Sequence, residues 1–294
     1  MYCTYFGFRF PPFRIAPHPE TFYEGAKRGA MVEALMNVIE HGDGVVKVTG
    51  ESGSGKTMLC HVLQAGLSGR MPCVYLPQPQ MTPRQAMQAI AQGLALTAAR
   101  PSDDPSALVQ KYLQAGMKSA RQVVIVVEEA QSVPLPTLDA IRLLSNLDAG
   151  TRKALHLVLF GQPELDTVLA QHEIRQLRDR ITHSVVLAPM SPEEVEQYLA
   201  FRVRSAGNAA SALFPKPVAR HIARAAAGLA RSVNILADRT LMAAFADDTR
   251  EISLRHAKLA VDRTGQSTGG WLDAAKRWWG QRNAPSTVLQ AGPR

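Results

Sequence analysis

A glycine-rich stretch with one lysine and one threonine is the part of the sequence best suited to binding an anion. Residues 50–57 read GESGSGKT and match the pattern G-x-x-x-x-G-K-[ST]. Its glycines let backbone N–H groups turn inward around a phosphate, the lysine reaches the β- and γ-phosphates of a nucleotide, and the final hydroxyl ligates Mg²⁺. The predicted binding residues of this phosphate loop are Gly50, Glu51, Ser52, Gly53, Ser54, Gly55, Lys56 and Thr57, and Thr57 is also a predicted metal ligand.

Two adjacent glutamates follow an apolar run elsewhere in the chain. VVIVV at 123–127 is followed at once by Glu128 and Glu129. A buried carboxylate is costly unless a cation or hydrogen bonds offset its charge. The acids therefore either reach solvent or lie beside a cationic site. With a phosphate loop in the same chain, we predict that Glu128 faces Mg²⁺ and that Glu129 polarises the attacking water.

These residues are expected at the ends of strands in a parallel sheet. Apolar runs that alternate with helical patterns indicate strands covered by helices on both faces. The predicted strands are 45–49, 73–77, 122–127, 155–160 and 184–189, with helices that include 24–40, 83–93 and 135–147. The phosphate loop then lies between a strand and a helix, which is the context that this motif needs.

The pattern changes near residue 191, from alternating strands and helices to helices alone. We therefore predict four segments. They are an irregular lead-in at 1–24, an α/β core at 25–190, an all-helical domain at 191–264 and a tail at 265–294.

Composition and charge narrow the possible classes of protein. The 294 residues are 46% hydrophobic and 20% charged, which is ordinary for a globular protein. The net charge of +8 favours an anionic partner such as a nucleotide, a nucleic acid or an acidic membrane surface. Three cysteines without CxxC spacing predict reduced thiols in the cytoplasm and no zinc site. We predict neither a signal peptide nor a membrane span.

Motifs along the chain resemble one family. FGFRFPPF, KVTGESGSGKTMLC, EEAQ, LSNLD, VLFGQPEL and LRDRI follow one another as in the ExeA/GspA-type AAA+ ATPases of bacterial secretion and type IV pilus assembly. VYLPQPQMTP is similar to the MshM branch, which serves the mannose-sensitive haemagglutinin (MSHA) pilus. The resemblance covers about residues 1–264. It implies an α/β P-loop NTPase fold, with an AAA+ core of five parallel strands and an all-helical lid.

The same resemblance implies activity, cofactors and partners. It points to an ATPase that uses ATP and Mg²⁺ and forms homo-oligomers whose subunits complete each other's sites. The expected partners are inner-membrane proteins of a pilus or secretion system. It assigns Gln162 as a polar sensor of the γ-phosphate, Arg180 as the arginine that enters the neighbouring subunit, with Arg178 as the alternative, and Arg231 as the nucleotide-sensing lid arginine. The residues alone leave these roles open, because such side chains are common on any surface.

One residue departs from the family pattern. The family normally has Asp-Glu before Ala-Gln, where this chain has Glu128 and Glu129. Mg²⁺ tolerates little deviation from octahedral geometry at roughly 2.1 Å, so the additional methylene of Glu128 must be accommodated. We expect ATP binding to persist and hydrolysis to be slow. The alternatives are an ATP-binding scaffold and a DNA-handling ATPase of the transposition-helper type. Nucleic acid is the less favoured partner, since no DNA-reading module is recognised.

A segment near the end of the chain is rich in tryptophan and basic residues. GGWLDAAKRWWGQR at 269–282 places one apolar face on a predicted helix, formed by Trp271, Leu272, Ala275, Trp278 and Trp279. Tryptophan together with basic residues suits a membrane interface. Packing against the helical domain or a neighbouring subunit is the other interpretation. The tail thus predicts either peripheral membrane contact or a protein contact.

Overall fold

The computed structural model describes residues 2–41, 44–96, 104–118, 122–146, 148–149, 152–208, 213–265 and 290–291. The chain packs into two compact units. The first, here called the helical unit, comprises Met1–Gly29, Glu51–Met58 and Ala188–Ser286. The second, the sheet unit, comprises Ala30–Gly50, Leu59–Leu187 and Thr287–Arg294. Packing thus places most of the phosphate loop and the N-terminal residues with the C-terminal helices.

A parallel sheet forms the centre of the sheet unit. In chain order its strands are β1 (Val45–Thr49), β2 (Cys73–Leu76), β3 (Val123–Val127), β4 (Asp148–Ala149), β5 (Arg152–Lys153), β6 (Leu155–Gly161), β7 (Ile181–Val186) and β8 (Gln290–Ala291). The sheet order is β2-β3-β6-β1-β7-β8, and β4 pairs with β5 separately. All neighbours from β2 to β7 pair in parallel, whereas β8 joins β7 antiparallel. The predicted sheet of five parallel strands is therefore confirmed, with a two-residue antiparallel strand added at one edge.

Helices follow the strands and make up the helical unit. They are α1 (Tyr2–Tyr5), α2 (Arg28–His41), α3 (Lys56–Leu67), α4 (Pro83–Gly93), α5 (Pro105–Lys118), α6 (Leu135–Leu144), α7 (Leu165–Leu169), α8 (Arg175–Arg178), α9 (Pro192–Ser205), α10 (Lys216–Ala225), α11 (Ala230–Ala246) and α12 (Leu254–Gly265). Two of them begin with a capping box, in which Thr82 pairs with Gln85 and Ser191 with Glu194. Each box satisfies N–H groups that the first helical turn leaves unbonded.

The burial of the strands differs with their positions in the sheet. Every residue of β3 and β6 is buried, as expected for strands covered on both faces. By contrast, β7, which lies toward the edge of the sheet, buries few of its side chains. The fully buried strands β3 and β6 therefore provide a firm base for the residues that follow them.

The N-terminal residues belong to the core of the helical unit. Phe6, Phe8 and Phe13 are buried in the same apolar cluster as side chains of α9, α10 and α11. The Arg202 guanidinium donates to the carbonyl oxygens of Pro12 and Arg14, at 2.7 and 3.1 Å. The lead-in is thus held by aromatic packing and by a buried arginine.

No helix within the described part of the chain is long and apolar enough to span a bilayer. The Trp-rich segment at 269–282 lies outside the described residues.

Candidate functional site

The phosphate loop has the backbone that its glycines were predicted to allow. Gly53 and Gly55 have φ angles of +80° and +109°, a region that residues with a Cβ seldom adopt. Between them, the Ser54 amide donates to the carbonyl of Glu51 at 3.1 Å. The helix α3 begins at Lys56, so the last two residues of the loop belong to its first turn. The first-turn N–H groups of a helix are unbonded and carry partial positive charge, so this end suits an anion.

Two buried polar side chains of the loop fit a phosphate ligand. Lys56 is only 5% exposed, and its ammonium group donates to the Glu51 carbonyl at 3.1 Å. Ser54 is fully buried, and its hydroxyl oxygen has no hydrogen-bond partner among the described residues. An anionic ligand would stabilise a buried ammonium and would accept a hydrogen bond from a buried hydroxyl. The residues present therefore fit a bound phosphate group.

The predicted nucleotide-sensing arginine lies against this loop within the helical unit. The Arg231 amide donates to the Gly53 carbonyl at 3.0 Å. A Cβ on Gly53 would come within 3.0 Å of the Arg231 Cβ, so the close approach depends on glycine. The Arg231 side chain is exposed. The structure thus brings Arg231 and the loop together, and its role as a sensor stays a prediction.

In the sheet unit, the carboxyl ends of three strands meet at one edge. Gly50, the first loop residue, donates from its amide to the Gly161 carbonyl at the end of β6, at 3.2 Å. Gln162 follows directly, and Glu128 and Glu129 follow β3, which pairs with β6. Parallel pairing brings the start of the loop, the two acids and the predicted sensor to the same edge.

Two amide side chains hold the carboxylate of Glu129. The side-chain amides of Gln131 and Gln162 both donate to its Oε2, at 2.6 and 3.1 Å. The Gln162 backbone amide in turn donates to Oε1 of Gln131 at 3.0 Å. Glu129 itself has a left-handed backbone, with φ 50° and ψ 42°. Such a conformation costs a non-glycine residue roughly 1–2 kcal/mol, so the surrounding hydrogen bonds must maintain it.

A glycine makes room for this arrangement. A Cβ on Gly161 would lie 3.0 Å from Oε1 of Gln131 and 2.8 Å from the Leu165 side chain. A side chain at this position would force Leu165 to shift and would press against Gln131, which is one of the two donors to Glu129.

The first acid of the pair has a different partner. Glu128 is 6% exposed, and its carboxylate accepts a hydrogen bond from the Tyr75 hydroxyl on β2. Burial, and then the hydrogen bond to Glu128, raise the pKa of Tyr75. The phenol therefore keeps its proton and acts as the donor.

The two candidate intersubunit arginines differ in their surroundings. The guanidinium of Arg180 donates to the carbonyl and the hydroxyl of Ser145, at 2.8 and 3.1 Å. Ser145 caps the carboxyl end of α6, where a cation is favoured. The Arg178 side chain is 46% exposed and has Nε 3.6 Å from Asp179. In this structure, Arg180 stabilises its own chain and Arg178 faces solvent.

The sequence had given no role to three of these residues. Gln131 stands within the quoted EEAQ motif, but its contact with Glu129 depends on the left-handed turn. Tyr75 could have been found from strand alternation once the pairing of β2 and β3 was known. Ser145 stands within the LSNLD motif, but its contact with Arg180 is made mainly through its carbonyl oxygen, which the residue type does not reveal.

Comparison with known proteins identifies relatives of this chain. Residues 39–169 match the model of an AAA domain. General secretion pathway protein A of Aeromonas hydrophila is 33% identical over 299 residues, which cover 95% of this chain. The chain thus resembles the ExeA/GspA-type AAA proteins over nearly its whole length. It spans about half of that relative, 54% of its length. The family resemblance found in the motifs is thereby confirmed.

Several solved structures share the fold of this chain. The Aeropyrum pernix ORC2 protein in its ADPNP-ADP complexes has a TM-score of 0.67 at 14% identity, covering 89% of this chain and 73% of that one. Cdc6p of Pyrobaculum aerophilum has a TM-score of 0.66 at 14% identity, covering 85% of this chain and 69% of that one. A Walker-type ATPase of Pyrococcus abyssi has a TM-score of 0.61 at 13% identity, covering 91% of this chain and 80% of that one. At these identities the likeness concerns the AAA fold alone.

Proposed function

We propose that this protein binds ATP with Mg²⁺ at the phosphate loop and hydrolyses it slowly. The observation that carries the proposal is the position of Glu129. Two amides hold its carboxylate at the sheet edge where Gly50 begins the loop. A fixed carboxylate there is suited to orient a water molecule for attack on a phosphate.

Each residue has a part in this mechanism. Lys56 binds the β- and γ-phosphates, and Thr57 and Glu128 would hold Mg²⁺, which neutralises phosphate charge when bound. Glu129 accepts a proton from the attacking water, whose oxygen bonds to the γ-phosphorus as the bond to the ADP oxygen breaks. Gln162 keeps the Glu129 carboxylate oriented. Arg231 responds to the bound nucleotide. Within the described residues, no three His, Cys, Asp or Glu side chains cluster around a metal position. Mg²⁺ in such sites keeps several waters and uses few protein ligands, so one hydroxyl and one carboxylate suffice.

The cellular role that we propose is assembly of a bacterial envelope machine. The similarity to General secretion pathway protein A extends over 95% of the chain and supports a type II secretion system. The VYLPQPQMTP motif favours an MSHA-type pilus instead. In either case the protein acts as a homo-oligomer at the cytoplasmic face of the inner membrane, with peripheral contact through residues 265–294.

ATP binding and turnover, measured with and without membranes and DNA, test this function. We expect ATP to bind in the micromolar range that is common for enzyme substrates, and turnover to be slow but measurable. Anionic vesicles should stimulate turnover more than duplex DNA does. Absence of ATP binding would contradict the proposal. Binding without turnover would favour the scaffold, and stimulation by DNA alone would favour the DNA-handling alternative.

Arg180→Ala should lower turnover in the assembled protein by roughly 10³-fold, because an arginine supplied from a neighbour stabilises transition-state charge. ATP affinity should change little. Because Arg180 also contacts Ser145, we expect a decrease of a few degrees in Tm. Turnover, ATP affinity and thermal unfolding are measured on the same preparations.

Mixing experiments separate the structural from the intersubunit role of Arg180. Subunits with Arg180→Ala keep Glu129, and subunits with Glu129→Gln keep Arg180, so a mixed assembly contains complete sites. Turnover should therefore recover on mixing. Arg178→Ala is the matched control, since it removes a guanidinium two residues away and should retain turnover. If mixing restores nothing, or if Arg178→Ala is the inactive variant, Arg180 does not have this role.

A further inference from the structure

The side chain that contacts Glu128 lies on the neighbouring strand. In the parallel pairing of β2 with β3, Tyr75 is the register partner of Val126. Alternate residues of a strand point to the same face, so Val126 and Glu128 share a face with Tyr75. The Glu128 amide also donates to the Leu76 carbonyl at 3.1 Å, which extends the pairing by one residue beyond β3. Strand register alone therefore brings the phenol to the carboxylate.

The tyrosine is itself fixed in place. Its ring packs against the imidazole of His61 on α3, with ring centroids 5.7 Å apart. Its hydroxyl donates to Glu128, whose side chain is buried. A phenol is a donor to an ionised carboxylate, which can only accept. The ring therefore presents a directed donor from a rigid element.

The length of the acid determines whether this contact can form. An aspartate carboxylate at 128 would be withdrawn by about one carbon–carbon bond, ~1.5 Å. A hydrogen bond from Tyr75 that was lengthened by this amount would exceed hydrogen-bonding distance. The glutamate and the tyrosine thus match each other geometrically.

We propose that Tyr75 is a positioning residue that fixes the longer Glu128 side chain for Mg²⁺ binding. The inference rests on the proposed function, since it assumes that Glu128 faces the metal ion of a bound nucleotide. Without the phenol, the Glu128 side chain samples several rotamers. Fixing it in the octahedral Mg²⁺ shell then costs more conformational entropy, which weakens Mg²⁺ binding. An aspartate at 128 would be too short to accept a hydrogen bond from the Tyr75 hydroxyl.

The test compares Tyr75→Phe with the wild type and measures binding of a fluorescent, non-hydrolysable ATP analogue as a function of free Mg²⁺. We expect the half-saturating Mg²⁺ concentration to rise about tenfold, a change of ~1.4 kcal/mol, similar to the loss of one hydrogen bond to a charged group. Affinity in EDTA should not change, because the phosphate loop is intact. Tyr112→Phe removes a phenol on α5 and should match the wild type.

The same substitution in Glu128→Asp protein tests whether the effect of Tyr75 depends on the longer acid. In Glu128→Asp protein, adding Tyr75→Phe should leave the Mg²⁺ requirement unchanged, because the shorter acid no longer reaches the phenol. An unchanged or lower requirement for Tyr75→Phe alone, or an equal increase in both backgrounds, would overturn the role of Tyr75 and leave ATP binding standing. A wild type that does not bind the analogue at any Mg²⁺ concentration would overturn the proposed function and this inference together.

Discussion

Replacing Lys56 with alanine should weaken ATP binding by about 100-fold or more. Truncating one partner of a buried, hydrogen-bonded charge pair costs 2–5 kcal/mol or more, and tenfold in affinity corresponds to ~1.4 kcal/mol. The ammonium of Lys56 is buried in the phosphate loop and has its carbonyl partner within the loop itself. The truncation also removes the hydrogen bond to the Glu51 carbonyl, so we expect Tm without nucleotide to decrease by a few degrees at most.

Two measurements check the Lys56 prediction. A titration with fluorescent ATP gives the affinity, and thermal unfolding gives the stabilisation that a bound ligand confers. Wild-type Tm should rise with ATP, and Tm of Lys56→Ala should not. Lys111→Ala is the matched control, since it removes the same charge from an exposed position on α5. Equal ATP affinity in Lys56→Ala and wild type would show that the phosphate loop is wrongly assigned.

Glu129→Gln should abolish most ATP hydrolysis while leaving ATP binding intact. A general base contributes roughly 10²–10⁴-fold to a rate, and glutamine has the shape of glutamate without its basicity. The side-chain oxygen of the new residue can still accept from Gln131 and Gln162, so the hydrogen bonds around it are retained. The variant should therefore hold ATP uncleaved and stay in the assembled state.

Single-turnover hydrolysis and sedimentation with ATP test the Glu129 prediction. Glu173→Gln is the control, because it makes the same charge change at an exposed acid. Turnover within threefold of the wild type in Glu129→Gln would mean that another group activates the water. Loss of ATP binding would instead assign Glu129 to the binding of nucleotide or metal.

The sequence was most informative where apolar runs were bounded by glycine. The strand β1 was predicted to its end residues, because Gly44 and Gly50 bracket it. The strand β7 was expected at 184–189 and lies at Ile181–Val186. Its first three residues read ITH, and the polar residues among them are tolerated because few of the strand's side chains are buried. A search for apolar runs therefore missed the beginning of this strand.

The phosphate loop was recognisable because its function depends on residue type and spacing along the chain. The contacts around Glu129 were not, because they depend on backbone conformation. Glycine, and less strongly Asn and Asp, signal a left-handed φ, but a glutamate does not, and Glu129 adopts one. The Tyr75 contact required the pairing of β2 with β3, which links residues 53 positions apart. Pairings between distant segments cannot be deduced from local pattern alone.

The packing of the N-terminal residues has a consequence for synthesis on the ribosome. Tyr2 donates a hydrogen bond to Asp238, 236 positions later, and the buried Phe6 and Phe8 pack with helices α9 to α11. At translation rates of 5–20 residues per second, roughly 10–50 s separate the emergence of these partners. During that interval the aromatic segment is exposed while the sheet unit is being made. Chaperone binding to the nascent chain should accordingly be strongest at this segment, and should end once α11 has emerged.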